Sequence, residues 1–445
     1  MPNPFAQTVL EVDVAPWRRG LLLLACTAPS LLLSFYALRW AYAEKLGDTN
    51  ELKPLQRAVQ LDPRNPQFYD KLGRISLYSN DAPPTPGPVE YFRKAVELAP
   101  RDADYWADLA SACDWKGDAA CSERALDEAR SLAPLAPRIE WFTANHYVRA
   151  NQPERALPHL RRLLQMSTDY GSSTFDLCAH AFGNTDKVLS DVLTPQSDPV
   201  LKLAFLGYEA SHDRLDTAAR VWSDISSAHA ATPLARVEPY FQKLLATGEV
   251  DQAERVWSDL QHHGTVPANA PGNLIFNGKF EHLPLNAGFD WQSIKLPFVQ
   301  ADFHNSSGPA GARALRLDFI VPRNDEAEPV LQFVPIRPST AYLLTAQVRS
   351  VMITSDSGPR LRVLDALDST EFTAQTDGAV GTTPWHEVST RFTTGSDTRL
   401  LRVSVWRPRS RSFPPNIAGS FWLSDVVLQP DSTQTPAGDS RRKPH

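Results

Sequence analysis

The chain has 445 residues, 42% of them apolar and 22% charged, with a formal net charge of −6. This is the composition of folded protein at a length that fits two or three domains, and its acidic balance argues against nucleic acid as a partner. The four cysteines, Cys26, Cys113, Cys121 and Cys178, form no CxxC or Cys/His cluster, which excludes a zinc site and a disulfide-dense scaffold.

Residues 1–19 form a short tail that ends in Trp17-Arg18-Arg19, and residues 20–42 read as a transmembrane anchor. Gly20 to Leu38 carries no charged side chain. At a helical rise of 1.5 Å that run covers about 28 Å, enough to cross the hydrocarbon core. Arg39, Trp40 and Tyr42 suit the far interface. The stretch LLAC, Leu23 to Cys26, offers two alternatives, a lipoprotein cleavage box and a cleaved secretory signal. Six residues separate Arg19 from Cys26. A signal peptide's apolar region needs about 7–15, and the apolar run here continues past the cysteine, so the uncleaved anchor is favoured. The expected topology is single-pass with the N-terminus inside and residues 43–445 exported.

Residues 46–264 repeat themselves. AVQLDP (from Ala58), AVELAP (from Ala95) and ARSLAP (from Ala129) recur at spacings of 37 and 34, and RVWSDI (from Arg220) and RVWSDL (from Arg255) at 35. The proline-rich insertion Ala82 to Pro88 accounts for the longer spacing. Tyr69-x-x-Leu-Gly73 and Trp106-x-x-Leu-Ala110 open paired helices, and small residues such as Ala110, Ala144, Ala156 and Ala253 let them approach. The stretch 167–200 fits poorly, as a degenerate repeat or a break between two sub-arrays. Stacked pairs of this period bury a shared core. The array resembles the tetratricopeptide family, which implies an α-solenoid with a groove for a protein segment. Carried onto this sequence, the groove positions are Asp70, Arg74, Tyr78, Trp115, Trp141, Asn145 and Arg149; ordinary solvated helix faces are the alternative. The family's basic clamp for acidic peptide termini is absent apart from Asn145. Cys113 and Cys121 fall on facing helices about Gly117, so an exported chain would hold either a disulfide there or two buried thiols.

Residues 265–272 read as a linker. From Asn273 the period becomes two: Leu315, Leu317, Phe319 and Val321 share one face, as do Tyr342, Leu344, Ala346 and Val348. About ten such runs over 273–429 predict an all-β sandwich. NLIFNGKFE (from Asn273), GFDW (from Gly288), GARALRLDF (from Gly311) and GSFWLSDVVL (from Gly419) occur in the order of a carbohydrate-binding module of family 4/9 type, a galactose-binding-like jelly roll, which the segment resembles. The resemblance implies a structural calcium ion held by Glu281 and Asp425; Ser424 stands where the family has a further acid, which removes one carboxylate. Trp291, Trp385 and Trp406 are the candidate sugar platforms. For the outward set Arg316, Gln347, Arg349, Arg360, Arg362, Arg391, Arg402 and Trp406, at least part is expected to form a contiguous basic strip for an anionic polysaccharide, which reversal of Arg349 and Arg402 would abolish. Division of these arginines between two opposite sheets is the alternative. The sequon Asn305-Ser306-Ser307 is formal only, and residues 430–445 read as a disordered tail.

No nucleophile elbow, metal-ligand pair or phosphate loop appears in the sequence, so no enzyme and no cofactor beyond calcium is expected. The expected architecture is multidomain: transmembrane helix, all-α solenoid, all-β jelly roll. The combination resembles bacterial inner-membrane accessory proteins of envelope polysaccharide or O-antigen assembly. That resemblance implies a periplasmic scaffold with a protein partner in the groove and glycan on the sandwich. The alternative is a purely protein–protein assembly factor whose sandwich is structural.

Overall fold

The computed structural model describes residues 15–78, 87–166, 171–183, 187–193, 197–228, 232–304, 307–368 and 373–431. The first 14 residues, most of the proline-rich insertion, Asn305 and Ser306 of the sequon, and residues 432–445 lie outside the described residues. The chain divides into two compact units, Met1–Val192 and Leu193–His445.

The first unit is an antiparallel stack of helices: α1 (Pro16–Gly47), α2 (Leu52–Leu61), α3 (Pro66–Tyr78), α4 (Pro88–Leu98), α5 (Ala103–Lys116), α6 (Ala119–Leu132), α7 (Pro137–Arg149), α8 (Pro153–Met166) and α9 (Gly171–Phe182), then a π-helical turn over Val188–Val192. Helix α1 is long and apolar enough to cross a membrane. Its last turns belong to the stack. Ala43 is buried in one cluster with Leu55, Ala58 and Phe68. Arg39 Nε donates to the Leu61 carbonyl at 2.7 Å and Lys71 Nζ to that of Gly47 at 2.6 Å. The repeat's small residues do steric work. A Cβ on Gly73 would lie 2.7 Å from the Phe92 ring. Helix α5 ends at Gly117, whose φ of +80° lets the Asp118 N–H reach the Cys113 carbonyl at 2.9 Å. Asp118 then caps α6 by accepting from the Cys121 N–H. The poorly matching stretch 167–200 contains α9, the π-helical turn and the boundary between the two units.

The second unit holds two more helix pairs, α10 (Pro199–Ser211) with α11 (Leu215–Ser227) and α12 (Leu234–Thr247) with α13 (Val250–His262), followed by the sandwich. Its strands are β1 (Gln292–Ser293), β2 (Val299–Asp302), β3 (Leu315–Arg323), β4 (Ala327–Pro335), β5 (Ala341–Ile353), β6 (Arg360–Asp365), β7 (Thr373–Gln375), β8 (Gly381–Thr393), β9 (Leu400–Arg407) and β10 (Ile417–Pro430). One antiparallel sheet has the order β1-β4-β9-β6-β7 and the other β2-β3-β10-β5-β8. The period-two residues Leu317, Leu344, Val348, Leu361, Val363, Val403, Val405 and Phe421 fill the space between them.

The stretch NLIFNGKFE fastens the start of the sandwich to its last strand. Asn273 Oδ1 accepts the N–H groups of Ile275 and Leu428, and its Nδ2 donates to the Val426 carbonyl. Val426 N donates to the Gly278 carbonyl, and a Cβ on Gly278 would lie 2.1 Å from the Val426 carbonyl oxygen. Only glycine fits that crossing. Residues 265–272 join elements of one compact unit. Val266 is buried, Gln261 donates to the Pro267 carbonyl, and Asn269 donates to that of Asn273. The Trp257 ring of α13 packs edge-on against Phe276 and Phe289, which seats the last helix pair on the sandwich.

Candidate functional site

Helices α3, α5 and α7 are the first helices of successive repeats and carry all seven groove positions. The inner four are occupied by the fold itself. Arg74 Nε binds Asp70 at 2.9 Å and its Nη2 binds Asp108 on the next repeat at 2.6 Å. Arg138 closes the ladder onto Asp108 at 2.7 Å and Asp104 at 2.5 Å. Burial, then the neighbouring Asp108 charge, pushes the Asp70 carboxyl up to about 7 in spite of Arg74. Asn145 donates to the Trp141 carbonyl one turn earlier, and both side chains are half-buried. The outer three positions face solvent. Tyr78 is 74% exposed and Trp115 65% exposed. Both make no bond or ring contact among the described residues. Arg149 ends the row, with Asp114 at 3.9 Å. The result is a row of two rings and one guanidinium at equivalent positions.

Cys113 and Cys121 are joined as a disulfide across the Gly117 turn, with their Cα atoms 5.7 Å apart. Ion clusters hold later repeats together, and sequence reading missed them because their members are 19 to 32 residues apart. Glu140, buried, takes His159 at 2.6 Å and Arg162 at 2.8 Å. Asp114, His146 and Ser122 bring together the residue types of a hydrolase triad. The same Nδ1 faces both Asp114 (2.6 Å) and Ser122 (3.1 Å), and Ser122 is fully buried. A proton relay needs the two ring nitrogens on opposite partners and a reachable hydroxyl, so this cluster is a packing device.

On the sandwich the structure corrects several expectations. Trp291 is fully buried, stacked on Phe280, with its Nε1 donating to the Asn277 carbonyl. It therefore cannot be a sugar platform. The arginines divide between the two sheets, so Arg349 and Arg402 do not share one strip. Arg360, Arg362 and Arg402 lie on β6 and β9 of one sheet; Arg316, Arg349 and Arg391 lie on β3, β5 and β8 of the other. Arg402 binds Glu328 at 3.2 Å, and Arg362 binds Glu328 at 2.9 Å while covering the Trp406 ring at 4.3 Å. Trp406 Nε1 donates to Glu326 at 2.6 Å. These groups pair with one another, although the Nε atoms of Arg362 and Arg402 are buried without a hydrogen-bond partner among the described residues. On the opposite sheet Trp422 faces Arg316 and Arg349 in register, with their guanidinium carbons 5.3 and 4.9 Å from its ring centroid. Arg316 is balanced by Asp318 at 3.0 Å, whereas Arg349 has no carboxylate among the described residues. Gln347 faces Glu387 on β8; Trp385, half-exposed, lies in the register break between the pairs Val348–His386 and Ser350–Thr383, and its Nε1 donates to the Ser307 carbonyl at 3.1 Å.

Among the described residues no group of three or more His, Cys, Asp or Glu side chains could hold a metal ion. Glu281 is exposed and Asp425 half-buried, and Ser424, where the family has a further acid, donates to the Arg313 carbonyl. Asp290 is a carboxylate that the fold does bury, at 0% exposure. It accepts the N–H groups of Leu285 and Trp291, and burial raises it to about 6. Within the second unit, a cavity of about 670 Å³ lies between α13 and the sandwich, lined by Asp251, Glu254, Arg337, Tyr342 and Arg399 among others. Its residues come from separate stretches spread between Val250 and Pro430, which no local pattern announces.

No protein-family model matches the sequence, and no curated protein matches it. Among solved structures, the chain is similar to the enzymatically active domain of tailspike protein 4 of bacteriophage CBA120 at 14% identity and a TM-score of 0.26, over 36% of this chain and 21% of that one. The chain thus spans about a fifth of that protein's length. It is similar to a structure described as "CBM4 structure and function" at 14% identity and a TM-score of 0.26, over 35% of this chain and 99% of that one. It is also similar to pilF of Pseudomonas aeruginosa at 14% identity and a TM-score of 0.26, over 52% of this chain and 90% of that one. The fold itself, a tetratricopeptide-type helix-pair stack followed by a jelly-roll sandwich, stands on the helix pairing and strand order above.

Proposed function

We propose that the chain is a non-catalytic, membrane-tethered adaptor in the assembly of a bacterial envelope polysaccharide, with its bulk in the periplasm. Helix α1 is its anchor. The helix-pair stack takes a protein partner, and the sandwich touches glycan. The observation that carries this reading is the row Tyr78–Trp115–Arg149. Large rings left more than half exposed at the same position of successive repeats form a docking stripe, because binding energy concentrates in such aromatic and arginine anchors. The inner ladder of Asp70, Arg74, Asp108 and Arg138 fixes the spacing of that stripe.

The test is affinity capture of the full chain from detergent-solubilised native membranes. The wild type is expected to bring down a discrete partner that the Tyr78→Ala/Trp115→Ala variant loses, with the fold of the variant unchanged by circular dichroism. An identical set of captured proteins from both would refute the reading. The rival, an assembly factor whose sandwich binds no sugar, draws support from the mutual engagement of Arg402, Trp406, Glu326 and Glu328. Failure of every envelope polysaccharide to retard the chain in affinity electrophoresis would favour it.

A further inference from the structure

The geometry points to a second membrane contact: we propose that the edge of the stack formed by the α2–α3, α4–α5 and α6–α7 turns rests on the headgroups of an anionic bilayer. The proposal rests on the reading of α1 as a membrane anchor. Helix α1 runs without a break from the apolar segment into the stack. The apolar run ends at Leu38, and the next residue, Arg39, is hydrogen-bonded at 2.7 Å to Leu61, the last residue of α2. The α2–α3 turn therefore stands at the level where the apolar run stops, which is the headgroup region.

The antiparallel stack carries that level along its edge. Neighbouring helices joined by short turns alternate in direction, so the α4–α5 and α6–α7 turns lie on the same edge as the α2–α3 turn. The three turns share one backbone form: Asn65 N to Asp62 O, Asp102 N to Ala99 O, and Ala136 N to Ala133 O. In two of them an aromatic donor pins the proline carbonyl, Tyr69 on Pro63 and Trp106 on Pro100. The residue after each proline is then equivalent: Arg64, Arg101 and Leu135. Arg64 and Arg101 are exposed, and neither guanidinium has a partner among the described residues. Leu135 is 80% exposed. Two arginines with no ion pair among the described residues, each on a turn that also carries an aspartate (Asp62, Asp102), and a bare leucine, at one position of three successive turns, match a surface that is anionic outside and apolar just beneath.

The test uses the full chain in bilayers of phosphatidylcholine with phosphatidylglycerol. A small environment-sensitive fluorescent amino acid is placed in turn at Leu31, Leu135 and Lys116, with nitroxide lipids as quenchers. Leu31 is expected to be quenched by acyl-chain nitroxide, Leu135 by headgroup nitroxide, and Lys116 by neither. The Arg64→Glu/Arg101→Glu variant is expected to lower quenching at 135 several-fold and leave quenching at 31 unchanged. Quenching at 31 with none at 135 overturns the docking edge while leaving the anchor standing. No quenching at 31 overturns the anchor and the edge together. Shielding of 135 that depends on protein concentration and not on phosphatidylglycerol assigns the edge to a second copy of the chain and overturns the lipid assignment.

Discussion

The Trp257 ring of α13 lies against Gly288 so closely that a Cβ there would be 2.0 Å from the ring. Gly288 also has a φ of +59°, and its N–H donates to Glu238 of α12 at 3.1 Å. Glycine is thus required twice, by the backbone and by the ring. Gly288→Ala is expected to destabilise the second unit by about 1–3 kcal/mol through overpacking, with the left-handed φ adding to it. Trp257→Phe alone should be milder, and combined with Gly288→Ala it should recover part of the loss. Denaturant unfolding of the four chains checks this; an unaltered midpoint for Gly288→Ala would remove Trp257 as the clamp.

The Cys113–Cys121 bond closes a loop with a sequence separation of 8 across the α5–α6 turn. Constraining so short a loop is worth about 2–3 kcal/mol in the chain-entropy account. Oxidised protein should resist alkylation at both positions, and reductant should lower the stability of the first unit by that amount. Full alkylation of Cys113 and Cys121 in the chain isolated without reductant would contradict the bond.

Asp70 gives a pH dependence with a definite sign. Its folded carboxyl is raised to about 7, above its ordinary 3.8, so the native state binds the proton more tightly than the unfolded state. This contribution to stability is fully present below about pH 4 and is lost as pH rises to about 7. Asp70→Asn keeps the Arg74–Asp108 contact and should flatten that slope between pH 4 and 7. Parallel unfolding curves for both chains across this range would contradict the shift.

Much of the fold is legible in the order of residues alone. The repeat spacing gives the helix pairs, because a buried small residue must recur wherever helices cross, as Gly73 does under Phe92. The period-two runs give the strands, and Asn273 and Gly278 show why the opening stretch is built as it is. The candidate sites are less legible. A groove position carries an expectation of which way a side chain points, but only the next repeat's Asp108 reveals that Arg74 is already paired across repeats. An outward position on a strand likewise does not say which sheet it belongs to. Strand order puts Arg349 and Arg402 on different sheets, and burial removes Trp291. The seating of α13 on the sandwich rests on contacts such as Trp257–Phe289, which leave no periodic trace.

For the sandwich, the remaining glycan candidates are Trp385 and Arg349. Trp385→Ala and Arg349→Gln should each weaken retardation by an acidic polysaccharide such as polygalacturonate, and added salt should do the same to the wild type. Arg402→Gln should leave retardation unaltered, since its charge is already spent on Glu328. Equal losses from Arg349→Gln and Arg402→Gln would reject the assignment to one sheet.

The central claim is that the stack receives a protein partner along Tyr78, Trp115 and Arg149, and site-specific photocrosslinking in native membranes tests it most directly. A benzophenone amino acid replaces Trp115 in one full-length chain and Glu128, exposed on α6, in another. The account predicts one discrete protein adduct from position 115, none from 128, and loss of the adduct when Tyr78→Ala is added. No adduct from 115, or the same adducts from 115 and 128, would contradict it.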